Sequence, residues 1–180
     1  MNATETNPDI IVDFITGKSV PNAGAESHRQ QVERYLVEQK GYRREEVVVD
    51  APIQVDIDGE VYRSKVDLVI RIDDRPVMAF KCAAGSLGSR EREILSAARL
   101  FDATPLPLAV VSDGATATVL DVASGKTKGE GLAAIPHRTE AADLARADRL
   151  PPIAPERLTR EKLVFRSYDS MNVNVNRKED

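Results

Sequence analysis

The chain has one cysteine, Cys82, among 180 residues, which excludes an intramolecular disulfide. With only two histidines, His28 and His137, it cannot build the usual four-ligand Cys/His zinc site. There is no tryptophan, and four Phe and four Tyr are too few for an aromatic platform on which single-stranded bases would stack. No apolar run approaches the length needed to span a bilayer, so no membrane partner is expected. Residues 1–8 are polar and lack the basic and apolar regions of a signal peptide, which makes the cytoplasm the expected location. The formal net charge of −4 excludes binding nucleic acid by bulk positive charge. It leaves room for a local basic groove, because net charge is a sum and binding uses a patch.

A chain of this length suits one domain with tails and buries a core without disulfides or a structural metal. Residues 1–24 read as an N-terminal arm with one apolar cluster, Ile10-Ile11-Val12 with Phe14-Ile15, followed by a loop at 20–24. From Glu26 the pattern turns helical, with Val32, Tyr35 and Leu36 in phase and Gly41 as the stop. Residues 46–50 and 53–57 read as two β runs. Asp58-Gly59 is a hairpin signal, and residues 61–72 run back from it. A turn at 73–76 leads to an apolar strand over 77–82. Ser86 or Ser89 is expected to cap a helix carrying Glu91 and Glu93 in its first turn. Residues 106–111 are apolar at consecutive positions, as in a strand buried on both faces, and 117–122 read as a further strand. Residues 137–180 form a C-terminal extension, with a short helix over 140–149, a last helix over 158–170 and a frayed tail from Asn172. The order predicts an α/β (α+β) core over residues 25–136, a mixed central sheet flanked by helices.

Within residues 26–120, several short motifs fall in a telling order. Glu26 opens the first helix, with Arg29-Gln30 behind it, and Leu36-Val37-Glu38-Gln39-Lys40-Gly41-Tyr42 closes it. A strand bearing Arg63 and Lys65 leads to Val66-Asp67-Leu68-Val69-Ile70. Then come Val77-Met78-Ala79-Phe80-Lys81-Cys82-Ala83 and, after a helix, Pro107-Leu108-Ala109-Val110-Val111-Ser112-Asp113-Gly114. This block resembles the N-terminal domain of type I restriction R subunits, a branch of the PD-(D/E)XK nuclease superfamily. The resemblance implies a restriction-endonuclease-like core, DNA as partner, and Mg²⁺ or Mn²⁺ held by carboxylates to activate water and steady charge on a phosphate. Carried over residue by residue, Asp67 is the metal ligand, Lys81 orients water or steadies charge, and Glu26 is the helix acid. A hairpin between residues 67 and 81 would set the two side by side. The departure is Ala79, two residues before Lys81, where the resembled pattern has Glu or Asp. Residues 95–101 also lack the Gln and Tyr of related nucleases. Relocation of the acid to Glu33 or Asp50 is open.

Each candidate has a plainer reading. Asp67 could simply face solvent, and Lys81 could snorkel from an edge strand, although a lysine between Phe80 and Cys82 calls for a partner. Glu26 suits a helix N-terminus whatever its function. Arg29, Arg63, Lys65 and Arg90 are candidate phosphate contacts, the alternative being plain solvation. Cys82 reads as core rather than nucleophile. The loop Gly85-Ser86-Leu87-Gly88-Ser89 lacks the Gly-Lys-Ser/Thr ending of a triphosphate loop but could touch a DNA phosphate. Two functions compete: a nucleic-acid-binding nuclease fold with weak or lost catalysis, and an active Mg²⁺- or Mn²⁺-dependent endonuclease using Asp67 and Lys81. Helicase and translocase motifs are absent from the sequence, and the C-terminal segment leaves homodimer formation open.

Overall fold

The computed structural model describes residues 9–176. Two short strands, β1 (Ile10–Val12) and β2 (Ser19–Pro21), pair antiparallel to form the arm, so the loop expected at 20–24 begins later, after Pro21. Residues 1–8 of that arm lie outside the described residues. Helix α1 (Glu26–Glu38) follows. The central sheet then unrolls as β3 (Val47–Ile57), β4 (Glu60–Ile72), β5 (Arg75–Cys82), β6 (Leu108–Ser112), β7 (Ala117–Asp121) and β8 (Thr127–Glu130), side by side in chain order. Every neighbouring pair is antiparallel except β5 and β6. A parallel pair needs a crossover, and α2 (Glu91–Leu100) supplies it. Helices α3 (Arg138–Arg146) and α4 (Pro155–Asn176) complete the fold.

The sheet is covered on both faces. Val32 and Leu36 of α1 and Ala141 of α3 pack on one face, against Leu68, Ile70, Met78, Phe80 and Val110. Ile94, Ala97 and Ala98 of α2 and Phe165 of α4 pack on the other, against Ile53, Val55, Val69, Ala79 and Val111. β5 and β6 are therefore sealed on both sides, which is why residues 106–111 show no alternation. α4 is fixed by its middle turns: Tyr62 and Ser64 of β4 both donate hydrogen bonds to the Asp169 carboxylate, and Glu161 accepts from Ser96 and Arg99 of α2.

Four expectations needed revision. The two runs at 46–50 and 53–57 are one strand, β3, not two. Val47 and Val49 face the α1 side, whereas Ala51, Ile53 and Val55 face the α2 side. The switch falls on Asp50, whose backbone is left-handed at φ 51°, a conformation Asp tolerates better than most residues. The break in the sequence pattern was a change of face. Secondly, β8 was not anticipated. Its four polar residues carry no alternation, and it is a strand only because β7 offers an edge. Thirdly, neither Ser86 nor Ser89 caps α2. A 3-10 turn over Gly88–Arg90 leads into it, and Ser89 Oγ donates instead to Ser86 O at 2.8 Å. Fourthly, the tail is helical as far as Asn176 rather than frayed from Asn172, while 177–180 lie outside the described residues. The turn signals fared better. Asp58 and Gly59 have φ of 53° and 84°, and Asp73 and Asp74 have 49° and 62°, as a two-residue hairpin requires, although Arg75 and Pro76 already belong to β5.

Candidate functional site

The register of the sheet places the candidate residues in one row. Val49 pairs with Leu68 and Ala51 with Val66, so Asp50 stands across from Asp67. Leu68 pairs with Phe80, and the same register carried one step further sets Asp67 across from Lys81. The hairpin, together with a register shift between Ile70 and Arg71, thus brings 67 and 81 together. Beside this row, the N-terminus of α1 and the strands enclose an open cleft of about 370 Å³. Glu26, Arg29, Asp50, Lys65, Asp67 and Lys81 all line it.

Lys81 is one-fifth exposed and has two carboxylate partners. Glu93 Oε1 lies 3.0 Å from its Nζ, and Asp67 Oδ2 lies 3.8 Å away. Burial alone would lower the lysine pKa. Asp67 and Glu93 outweigh it and hold the ammonium above its ordinary range. Asp67 also accepts a hydrogen bond from the Cys82 N–H at 2.8 Å. Burial pushes its carboxyl up from the ordinary range, against the pull of Lys81. The buried Cys82 thiol is pushed well above its usual value, so it stays protonated and belongs to the core.

Glu93 was read in the sequence only as a first-turn helix acid. Its closeness to Lys81 had one available signal. α2 is the crossover that leaves the lysine's own strand, and its first turn lies near where that strand ends. On this side Phe165, Ile94 and Ala97 close the space down to about 10 Å³, room for a single water at most.

Arg29 lies deep in the wall of the cleft rather than on its surface. Its side chain is 8 % exposed and four carboxyl groups surround it: Glu26 at 2.7 Å, Asp13 at 3.3 Å, Asp50 at 3.3 Å and Glu33 at 3.8 Å. Asp50 also pairs with Lys65 at 3.2 Å. Glu33, one candidate for the missing acid, is fully buried behind Arg29 and does not line the cleft. Asp50, the other, does line it. Arg63 is exposed on β4 and does not line the cleft. Arg90 is turned to Glu93 at 3.3 Å. The loop at 85–89 brings no residue to the cleft. Of the histidines, His28 bonds the Asp113 carbonyl, and His137 opens α3 with its backbone N–H bonded to Glu140.

A family model described as the type I restriction enzyme R protein N terminus matches residues 24–136, more than half of the chain. The chain belongs to this family. Neither a curated protein nor a solved structure matches it. The match begins at the turn before α1 and ends just after β8, so α3 and α4 lie beyond it.

The divalent metal that the nuclease resemblance implies is poorly served by the residues of this R-subunit-type domain. A hard cation needs several oxygen ligands. Ala79 is fully buried in the packing between β5 and α2, where the resembled pattern has a carboxylate. Asp67 is engaged by Lys81 and the Cys82 N–H, and the cleft's other acids, Glu26 and Asp50, are held by Arg29 and Lys65. Among the described residues, no group of three or more His, Cys, Asp and Glu is placed to hold a metal ion.

Proposed function

We propose that this R-subunit-type domain is a nuclease-fold module that binds nucleic acid, with phosphodiester hydrolysis weak or lost. One observation carries the reading. Asp67 and Lys81 sit side by side as the resembled motif demands, while Ala79 fills the acidic position with a buried methyl group and Glu93 neutralises the lysine from α2. A lysine clamped between two carboxylates needs no bound phosphate to be stable. The pair therefore survives as structure without serving chemistry.

The competing reading is metal-dependent cleavage, and the clustering of Glu26, Asp50 and Asp67 on one cleft favours it. The two separate cleanly. Wild type and Lys81→Ala are incubated with supercoiled, linear and single-stranded DNA in Mg²⁺, in Mn²⁺ and in chelator. Binding is followed by fluorescence anisotropy in the same buffers. The expected result is binding indifferent to metal, with no cleavage above that of Lys81→Ala. Cleavage by wild type alone, and only with metal, would overturn the proposal. Ala79→Glu is the companion variant. It is expected to gain Mn²⁺-dependent thermal stabilisation that wild type lacks, and equal stabilisation of both would refute the lost-ligand account.

A further inference from the structure

The arginines and lysines that line the cleft are neutralised by nearby acids. Arg29 and Lys65 share Asp50, Lys81 has Glu93, and Arg90 outside it has the same glutamate. A polyanion approaching there meets as many carboxylates as cations. A different part of the surface is arranged otherwise. Arg34 on α1 and Arg44 in the 3-10 turn Arg44–Glu46 both place their guanidinium groups over the ring of Phe14, at 4.6 and 4.0 Å from its centroid. Both arginines are exposed, as are Arg43 beside them and Lys18 on the same arm as Phe14. Neither Arg34 nor Arg44 has an ion-pair partner among the described residues, although Glu38 and Glu45 stand on the same elements.

The backbone that carries this ring is held by hydrogen bonds on both sides. The Phe14 N–H donates to Gln30 Oε1 at 2.6 Å. Buried Asp13 closes the adjoining turn, accepting from Thr16 N at 2.7 Å, Thr16 Oγ1 at 2.9 Å, Ile15 N at 3.1 Å and Gln30 Nε2 at 3.1 Å. A stacked guanidinium presents its face to the ring and keeps its N–H donors in its own plane, edge-on to solvent. Each such contact contributes only ~0.5–1 kcal/mol at an exposed site. It fixes the direction of the donors while leaving them free for an anion. Two guanidinium groups gathered on one ring repel each other, and a bound polyanion relieves that repulsion.

We propose that this arginine–phenylalanine patch on the arm and α1, rather than the acid-lined cleft, is the domain's main contact with the phosphate backbone of nucleic acid. The proposal rests on the nucleic-acid reading above and adds where the strand lies. Contact through phosphates alone makes binding indifferent to base sequence and steeply dependent on salt.

The test is the anisotropy of a short fluorescent DNA duplex across a salt series, using the full chain. Four proteins are compared with wild type: the double variant Arg34→Ala/Arg44→Ala, Phe14→Leu, Lys65→Ala in the cleft, and Arg160→Ala, an exposed arginine on α4. The double variant is expected to bind ~8-fold more weakly per arginine at about 0.1 M salt, with a salt slope smaller by about one unit per arginine. Phe14→Leu should weaken binding less, and Arg160→Ala should leave it unchanged. Matching thermal midpoints show that the variants fold, and Arg34→Gln/Arg44→Gln repeats the test if the alanine pair does not. If wild type binds and the double variant binds equally well, the patch is refuted while the nucleic-acid reading stands. If poly-glutamate displaces DNA as effectively as unlabelled duplex, the patch is a docking face for an acidic protein, and the proposal falls. If wild type binds no DNA, both fall.

Discussion

Glu33→Gln should make the domain more stable, by an amount that grows with pH. Glu33 is fully buried on α1, and among the described residues neither carboxyl oxygen has a hydrogen-bond partner of good geometry, the Ile15 N–H offering only a weak pull. Arg29 Nε is 3.8 Å away, and Asp13 from the arm and Glu26 from the same helix add negative charge around it. Burial, helped by Asp13, pushes the carboxyl up from its ordinary 4.5 to about 8. The unfolded chain releases this proton near pH 4.5, whereas the folded protein keeps it until about pH 8. In that window the unfolded state binds fewer protons, so the contribution of Glu33 to stability falls as pH rises and then levels off. Each pH unit is worth ~1.4 kcal/mol, which makes the penalty about 3 kcal/mol by pH 7. Glutamine has the same shape and does not titrate. Any constant gain or loss from its amide shifts the whole curve without changing its slope. Urea unfolding of wild type and Glu33→Gln at intervals from about pH 4.5 to 8 measures the difference directly. The two stabilities should diverge across that range, the variant being favoured at the alkaline end. Parallel curves would refute the reasoning and show that Arg29 holds Glu33 as an ordinary carboxylate.

Two further substitutions test the packing. Phe165 is 3 % exposed and meets the Tyr62 ring edge-on, centroids 6.2 Å apart, so Phe165→Ala should cost about 3–5 kcal/mol in urea unfolding. A loss under about 1 kcal/mol would mean that α4 does not dock there. Gly114 and Gly59 share φ of 84°, but a Cβ at Gly114 would meet Gln31 Cβ at 2.8 Å and His28 O at 3.1 Å, whereas at Gly59 it would meet nothing. Gly59→Ala should cost about 1–2 kcal/mol from backbone strain alone. Gly114→Ala should cost more, and the reverse order in thermal unfolding would show that α1 does not pack as closely on the β6–β7 turn as described.

The fold was legible wherever a local signal fixed it. Asp58-Gly59 and the turn from Asp73 mark hairpins and hence antiparallel β3, β4 and β5, and the unbroken apolar run before Asp113 marks a strand covered on both faces, whereas the parallel pairing of β5 with β6 had no local signal. The pairing of Asp67 with Lys81 was only half legible, since the two-residue turn alone would set Asp67 across from Phe80 and a register shift between Ile70 and Arg71 moves it to Lys81. What stayed hidden depends on partners distant in sequence. β8 has no pattern of its own and exists through its pairing with β7. Glu93 belongs to the site because α2 folds back over the end of β5. Arg29 reads as an exposed helix arginine until the arm brings Asp13 and β3 brings Asp50 to it. The arm's own contribution was equally invisible, since nothing in the spacing of Phe14, Arg34 and Arg44 announces that they meet.

Asp67 and Lys81 have structural work enough to explain their presence. A lysine on a strand sealed between Phe80 and Cys82 would be costly alone, and the carboxylates of Asp67 and Glu93 remove that cost. Asp67 in turn serves the Cys82 N–H where β5 ends and the chain leaves the sheet for the loop before α2. Replacing Lys81 would leave Asp67 and Glu93 without the cation between them, a loss commonly larger than the pair itself is worth. An alanine at position 79 is consistent with this. With the lysine already neutralised by Asp67 and Glu93, a third carboxylate beside it, buried on β5, would add desolvation cost and like-charge repulsion unless a cation arrived to offset both. Retention of Asp67 and Lys81 is therefore no measure of activity by itself. The residue whose replacement separates the two roles is Ala79, because a bound metal would stabilise a glutamate there and its burial without one is costly.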